Sequence, residues 1–72
     1  MMTKWIYEEA TYDCDAQWVV EGTGYGVQVQ EEPELGFFVF FFDAEAGELH
    51  TLGYCTNLED AKAYCEEVMA DP

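Results

Sequence analysis

Three cysteines and one histidine are the side chains of this sequence that most readily hold a metal ion: Cys14, His50, Cys55 and Cys65. Their number fits a Cys₃His zinc site, but the ligands of such sites usually come in pairs separated by about two to four residues. Two of the four residues, Cys14 and Cys65, have no neighbour at that spacing. Cys65 also falls on the apolar stripe of a predicted helix, where a free thiol packs as a small apolar side chain. We therefore expect no metal site and no cofactor.

A second pattern, Asp43-x-Glu45-x-Gly47, resembles the first half of a calcium-binding EF-hand loop. The last position of such a loop holds a bidentate glutamate, but the corresponding residue here is Tyr54. A hairpin turn is therefore the better interpretation. The glycines between residues 22 and 26 are interpreted as turn glycines, because a phosphate-binding loop should open a helix and strand residues follow these.

Catalytic chemistry has few residues to use in this chain. The absence of serine and the single histidine exclude a Ser-His-Asp triad. His50 could act as a general base, and neighbouring carboxylates such as Glu8 and Glu9 could hydrolyse glycosides. A chain of 72 residues has little room for a substrate cleft, so we expect that the protein is not an enzyme.

The elements that position these residues begin with a C-terminal helix. Thr56-Asn57-Leu58-Glu59 matches a capping box with Thr56 as the N-cap, and Asn57 is the alternative cap. Apolar residues then recur at helical spacing as far as Met69. The pattern predicts a helix over about residues 58–69.

Strands precede the helix. Residues 25–30 alternate between apolar and small or polar side chains, residues 37–42 are apolar throughout, and residues 49–55 return after a turn. Residues 17–21 predict a further strand, and residues 4–9 a first one. The sequence thus predicts one α+β domain, residues 1–72, in which a three- to five-stranded antiparallel meander carries one C-terminal helix.

One helix covers only one face of such a sheet. In the strand of residues 37–42, Phe38, Phe40 and Phe42 point to one face, while Phe37, Val39 and Phe41 point to the other. We expect the N-terminal aromatic segment, residues 5–12, to fold over the second face. A homodimer through residues 37–42 is the alternative, because a large bare apolar face marks an interface, and a monomer is favoured.

The charge excludes further functions. Sixteen acidic residues against two lysines and no arginine give a formal net charge of −14, so direct binding of nucleic acid or of an anionic membrane is not expected. Half of the residues are hydrophobic, which argues against the disorder that such a charge usually indicates. The sequence shows no signal-peptide pattern and no apolar run long enough to span a membrane. We expect a cytoplasmic protein with reduced cysteines.

The density of this charge can be compared with that of DNA. A folded chain of 8.2 kDa exposes roughly 4,500 Å², which gives about one net negative charge per 320 Å². A duplex carries one charge per roughly 100 Å² of its surface. The acids must therefore cluster on one face if they are to imitate DNA. Solubility, or adaptation to high salt, would instead leave them evenly spread.

A small cytoplasmic chain with a small sheet, one capped helix and acids in every segment resembles the small acidic anti-CRISPR proteins of phages and mobile elements. It most resembles those directed at type I Cascade complexes, with type I-C as one possibility. The resemblance implies a stoichiometric inhibitor that mimics DNA, binds a Cascade subunit and blocks capture of target DNA at the PAM-reading site. The alternatives are another DNA-mimic inhibitor and a small structural or oligomerisation module.

The partner-binding candidates divide into acids and aromatic anchors. The acidic candidates are Glu31, Glu32, Glu34, Glu45, Glu48, Glu59, Asp60, Glu66, Glu67 and Asp71. Each would pair with a lysine or arginine that otherwise holds a phosphate. The aromatic candidates are Tyr25, Tyr54 and Tyr64, because tyrosines concentrate at the centres of interfaces.

Overall fold

The computed structural model describes residues 3–12, 15–30 and 32–70. Five strands form one sheet in the order β1-β2-β3-β4-β5, and every neighbouring pair is antiparallel. The elements are β1 (Trp5–Glu8), β2 (Gln17–Val20), β3 (Tyr25–Val29), a short 3₁₀ helix (Pro33–Leu35), β4 (Phe37–Asp43), β5 (Glu48–Cys55) and α1 (Leu58–Ala70). The predicted α+β meander with one C-terminal helix is confirmed, at the upper limit of the predicted strand number.

The start of the helix differs from the capping box read in the sequence. Asn57, not Thr56, is the N-cap, since the Asp60 backbone N–H donates to Asn57 Oδ1 at 2.8 Å. The Asn57 side-chain amide also donates to the Asp60 carboxylate at 3.0 Å. Asn57 therefore satisfies one of the backbone donors that a helix leaves open at its first turn. The other end of the helix, Ala70, lies one residue beyond the predicted end.

The core lies between α1 and one face of the sheet. Val27, Val39, Ala61 and Cys65 have no exposed surface, and Val20 is also buried. Burying a valine side chain contributes roughly 1.5–3 kcal/mol, so these few contacts supply much of what holds the helix to the sheet. Phe37, Leu52, Leu58 and Met69 pack around this centre.

The N-terminal aromatic segment does not cover the second face of the sheet, so that prediction was wrong. Residues 5–8 pair with β2 as an edge strand, with Trp5 opposite Val20. Because side chains alternate along a strand, Trp5 lies on the same face as the buried Val20 and packs against the core. Its indole N–H donates to Glu66 Oε2 at 3.0 Å, and the Lys62 ammonium lies 5.3 Å from the ring centroid. β-sheet pairing thus takes the segment that was expected to form a cover.

A β-bulge in β5 provides a contact with the helix. Val39 pairs with Gly53 while its neighbour Phe40 pairs with Thr51, which leaves Leu52 as the extra residue. The Tyr64 hydroxyl donates to the Leu52 carbonyl at 3.0 Å. Gly53 leaves room for the Tyr64 ring, because a Cβ there would stand 3.1 Å from it. This contact fixes the middle of α1 over β5.

Candidate functional site

The carboxylates are almost all at the surface. Every described aspartate and glutamate is exposed except Asp43, which is half-buried. Asp43 caps the predicted hairpin turn, since its Oδ1 accepts from the backbone N–H groups of Glu45 and Ala46 at 3.1 and 3.3 Å. The chain exposes 5242 Å², which spreads the net charge of −14 to about one charge per 370 Å². The average density is too low to imitate DNA, so the position of each acid decides the question.

Four acids share the outward side of α1, and we call them the acidic stripe: Glu59, Asp60, Glu66 and Glu67. A helix turns by about 100° per residue, which places these positions opposite the buried Ala61 and Cys65. The outward half of a helix about 20 Å long and about 10 Å wide has roughly 310 Å² of surface, so the stripe carries about one carboxylate per 80 Å². This local density reaches that of a duplex, at roughly one per 100 Å².

Two acids of the stripe also have partners within the protein. Glu66 accepts the hydrogen bond from the Trp5 indole, and Asp60 accepts one from the Asn57 side chain. Glu59 and Glu67 are exposed. Ala63 lies between them on the outward side and is exposed as well. The stripe therefore has a small, replaceable residue at its centre.

Lys4 is engaged away from the stripe, whereas Lys62 lies at its edge, one turn before Glu66 on α1. Lys4 Nζ lies 3.3 Å from Glu21 Oε2, with both side chains well exposed, and Lys62 lies over the Trp5 ring. No basic residue stands in the last turn of α1, although cations are favoured at that end of a helix dipole. Lys62 therefore borders one edge of the stripe, and the four acids outnumber it on the outward side of α1.

The other acidic candidates divide between the two ends of β4. Glu34 lies in the 3₁₀ helix that precedes β4, and Glu32 lies just before that helix. Gly36, which follows, packs against the backbone of Cys55 and Thr56, just before α1. These acids therefore lie at the same end of the sheet as the start of the stripe. Glu45 and Glu48 lie at the opposite end of β4, about 20 Å away along a seven-residue strand. Two further candidates, Glu31 and Asp71, fall outside the described residues.

The three candidate tyrosines are not in one place. Tyr64 lies over Gly53 beside the helix, and Tyr25 is half-buried with its ring 4.8 Å from that of Phe41. Tyr54 is the most exposed of the three, at 68%, and stands on the opposite face of the sheet next to Phe38, Gln30 and Thr51. The structure therefore does not bring these three candidates together on one surface.

The sheet face opposite α1, which we call the open face, is covered by no other element among residues 3–12, 15–30 and 32–70. Strand register places the following side chains on it: Ile6, Glu8, Gln17, Val19, Gln28, Phe38, Phe40, Phe42, Leu49, Thr51 and Tyr54. Glu8 is the only acid among them. In a chain with sixteen acids, this face is apolar and amide-lined.

A groove of about 360 Å³ runs along the open face beside β3. Gly26 has no side chain, and the Phe40 ring, which lines the groove, occupies the space above it, where a Cβ would stand 2.5 Å from the ring. The sequence interpretation of Gly26 as a turn glycine missed this role. The signal that could have found it is a glycine inside an alternating strand pattern, which marks a close approach.

The metal-ligand candidates are dispersed. Within the described parts of the chain, no group of three or more histidine, cysteine, aspartate or glutamate side chains could hold a metal ion. Cys55 and Cys65 are free thiols, and Cys14 falls outside the described residues. Burial, followed by the nearby charge of Glu66, raises the pKa of the Cys65 thiol to about 11. His50 lies 3.6 Å from Glu48 on the exposed part of β5.

Comparison with known proteins adds no relative. No protein family, curated protein or solved structure matches this chain. Among the described residues, α1 is the single helix longer than one turn, and it is too short and too polar to cross a membrane.

Proposed function

We propose that this protein is a stoichiometric inhibitor that occupies the DNA-binding surface of a basic partner. The acidic stripe supports the proposal, because it concentrates four carboxylates at a duplex-like density on one side of a helix. A basic groove that holds phosphates with lysine and arginine would meet carboxylates at comparable spacing. Complementary charge of this kind raises the association rate and selects the partner.

The arrangement of the stripe also argues for a function outside folding. Glu66 and Glu67 stand in the last turns of α1, where the helix dipole disfavours negative charge by up to about 1 kcal/mol for each acid at low salt. Glu66 gains the Trp5 hydrogen bond in return, whereas Glu67 is exposed. A solubility role needs no acids at this unfavourable end of the helix.

The specific partner that we propose is a type I Cascade complex, with type I-C first, in the cytoplasm of a cell that hosts a phage or mobile element. The protein would then act as an anti-CRISPR, with its stripe at the surface that reads the PAM of target DNA. This step rests on the resemblance in size, charge and architecture. In its more general form, the proposal applies to any complex that binds DNA through a basic groove.

The test measures whether the protein displaces DNA from the proposed partner. Purified type I-C Cascade is titrated into a fluorescent PAM-containing duplex, and anisotropy reports binding with and without this protein. We expect the wild-type chain to displace the duplex, and to do so less well as salt is raised, because exposed charge pairs are screened. Displacement that is unchanged from low to high salt would contradict charge mimicry.

Ala63→Lys places a cation among the four acids without removing any contact seen in the structure. Weakening two exposed charge pairs by about 0.2–1 kcal/mol each predicts a loss of affinity of about 2- to 30-fold. Ala63→Gln adds similar bulk without charge and should bind like the wild type. Equal losses in both variants would refute a role for charge. If the wild-type chain displaces no duplex, Cascade is not the partner.

The open face supports a second candidate function, an oligomerisation module. Phe42 is 44% exposed and Leu49 is 52% exposed there, and exposed apolar side chains in a contiguous patch mark interfaces. Light scattering across a range of protein concentrations separates the two functions. A monomer at all concentrations would exclude the oligomerisation module.

A further inference from the structure

The groove on the open face has an apolar half and a polar half. Val19 and Phe40 lie in one row across the sheet, with Phe42 one step further along β4. Glu8, Gln17 and Gln28 form the next row in the other direction, each paired with its neighbour across the strands. Rows of side chains on one face repeat about every 7 Å along a strand. The groove therefore changes from apolar to polar over the length of one long side chain.

The polar half is built to accept hydrogen bonds from a cation. The Gln17 side-chain amide donates to Glu8 Oε1, which holds the carboxylate at the end of the groove. Gln28 stands beside Gln17 in the same row and adds an amide oxygen as a further acceptor. Arginine has a three-methylene stem that packs on apolar surface and a planar head with five donors. The stem can lie on the apolar half of the groove while the charged head reaches the polar half.

A second copy of this chain is a poorer occupant. The open face is small, because it spans five strands, about 24 Å, by about 15 Å along the strands. Each copy also carries a net charge of −14, and the resulting repulsion opposes association. A cationic side chain gains from the same charge.

We propose that this groove is a receptor for a single arginine side chain of the partner, with the aliphatic stem on Val19 and Phe42, beside the buried Phe40, and the guanidinium on Glu8. The inference rests on the proposed function, because it identifies a second contact that a basic partner would make. In this proposal the groove on the open face selects the partner, whereas the acidic stripe attracts it through charge.

The test is an NMR titration of the free protein with acetyl-arginine-methylamide. The side-chain NH₂ signals of Gln17 and Gln28 report on the groove, and that of Asn57 reports on the helix start. We expect shifts at the two glutamines and at the Phe40 and Phe42 rings. The citrulline analogue has the same shape without the charge and should shift them at least about threefold less at equal concentration.

Two variants of identical net charge provide the control. Glu8→Gln keeps an acceptor for Gln17 but removes the charge from the groove, whereas Glu9→Gln removes a charge from the next residue, which lies outside the groove lining. We expect Glu8→Gln to weaken arginine binding at least about threefold and Glu9→Gln to leave it unchanged. Equal responses to both variants, equal shifts from both analogues, or shifts centred on α1 would overturn the proposal.

The remaining outcomes are also decisive. Groove shifts that appear on concentrating the protein without arginine would show that a second copy occupies the face, and they would overturn the proposal. The titration contains neither DNA nor a DNA-binding protein. A failed titration therefore leaves the anisotropy test of the proposed function standing, and a failed displacement of duplex leaves the arginine result standing.

Discussion

The contact between Trp5 and α1 gives a quantitative prediction about how the N-terminal strand is held. Trp5→Phe keeps an aromatic ring but removes the indole N–H that donates to Glu66 at 3.0 Å and weakens the interaction with Lys62 at 5.3 Å. A hydrogen bond to a charged group contributes about 1.5–3 kcal/mol in general, and less where the acceptor is exposed, as Glu66 is. An exposed cation–π contact adds about 0.5–1 kcal/mol. We expect the free energy of unfolding to fall by about 1–2 kcal/mol.

The assay is urea unfolding followed by far-UV circular dichroism, which does not depend on the removed fluorophore. In thermal unfolding followed by the same signal, a loss of 1 kcal/mol lowers Tm by roughly 4–8 °C in a domain of this size. Glu66→Ala removes the acceptor, and the double variant with Trp5→Phe closes a double-mutant cycle. Residues in contact show coupling of about 0.5 kcal/mol or more. A coupling energy below about 0.3 kcal/mol would refute the placement of Trp5 on the helix side.

Three further predictions concern stability. Asn57→Ala should destabilise the protein by about 1 kcal/mol in thermal unfolding, and Thr56→Ala by much less. A larger loss for Thr56→Ala would show that Thr56 is the N-cap. Gly26→Ala should cost about 1–3 kcal/mol, because its Cβ would stand 2.5 Å from the Phe40 ring, and a neutral result would mean that the groove floor is open. The pKa of Cys65 is raised from 9.0 to about 11, so the thiol contributes stability below pH 9 that is lost as pH rises to 11, by about 2–3 kcal/mol at most. Cys65→Ala should flatten the unfolding profile in this range, and an unchanged profile would contradict the burial of that thiol.

The secondary structure was predictable because its patterns are local. The six apolar residues of 37–42 predict a central strand with partners on both sides, and the structure gives β4 both neighbours. The periodicity from Leu58 onward fixes the buried side of α1, with Ala61 and Cys65 at its centre. Turn residues such as Asp43 and Gly47, whose φ is 69°, act over a few residues.

For the N-terminal segment the same patterns gave two expectations, a first strand over residues 4–9 and a cover over residues 5–12, and they did not decide between them. The strand is confirmed as β1. Residues 5–8 are too few to show a clear alternation that would have settled the choice. The segment forms a strand because pairing with β2 satisfies its backbone N–H and C=O groups within the protein. In a segment that only covered the sheet, these groups would have to bond to water. The arrangement of the acids depended on this pairing, since Glu66 acquires its Trp5 contact and Glu8 its place in the groove only once β1 is in the sheet.

The two candidate surfaces lie on opposite sides of one thin molecule, and this restricts the shape of a partner that uses both. The chain measures 31 × 26 × 19 Å, with α1 on one side of the sheet and the groove on the other. A flat basic surface can contact the acidic stripe or the groove, but not both. A partner that contacts both must therefore reach around the molecule. A groove with two basic walls can do so, whereas an open DNA-binding face would make only one of the two proposed contacts.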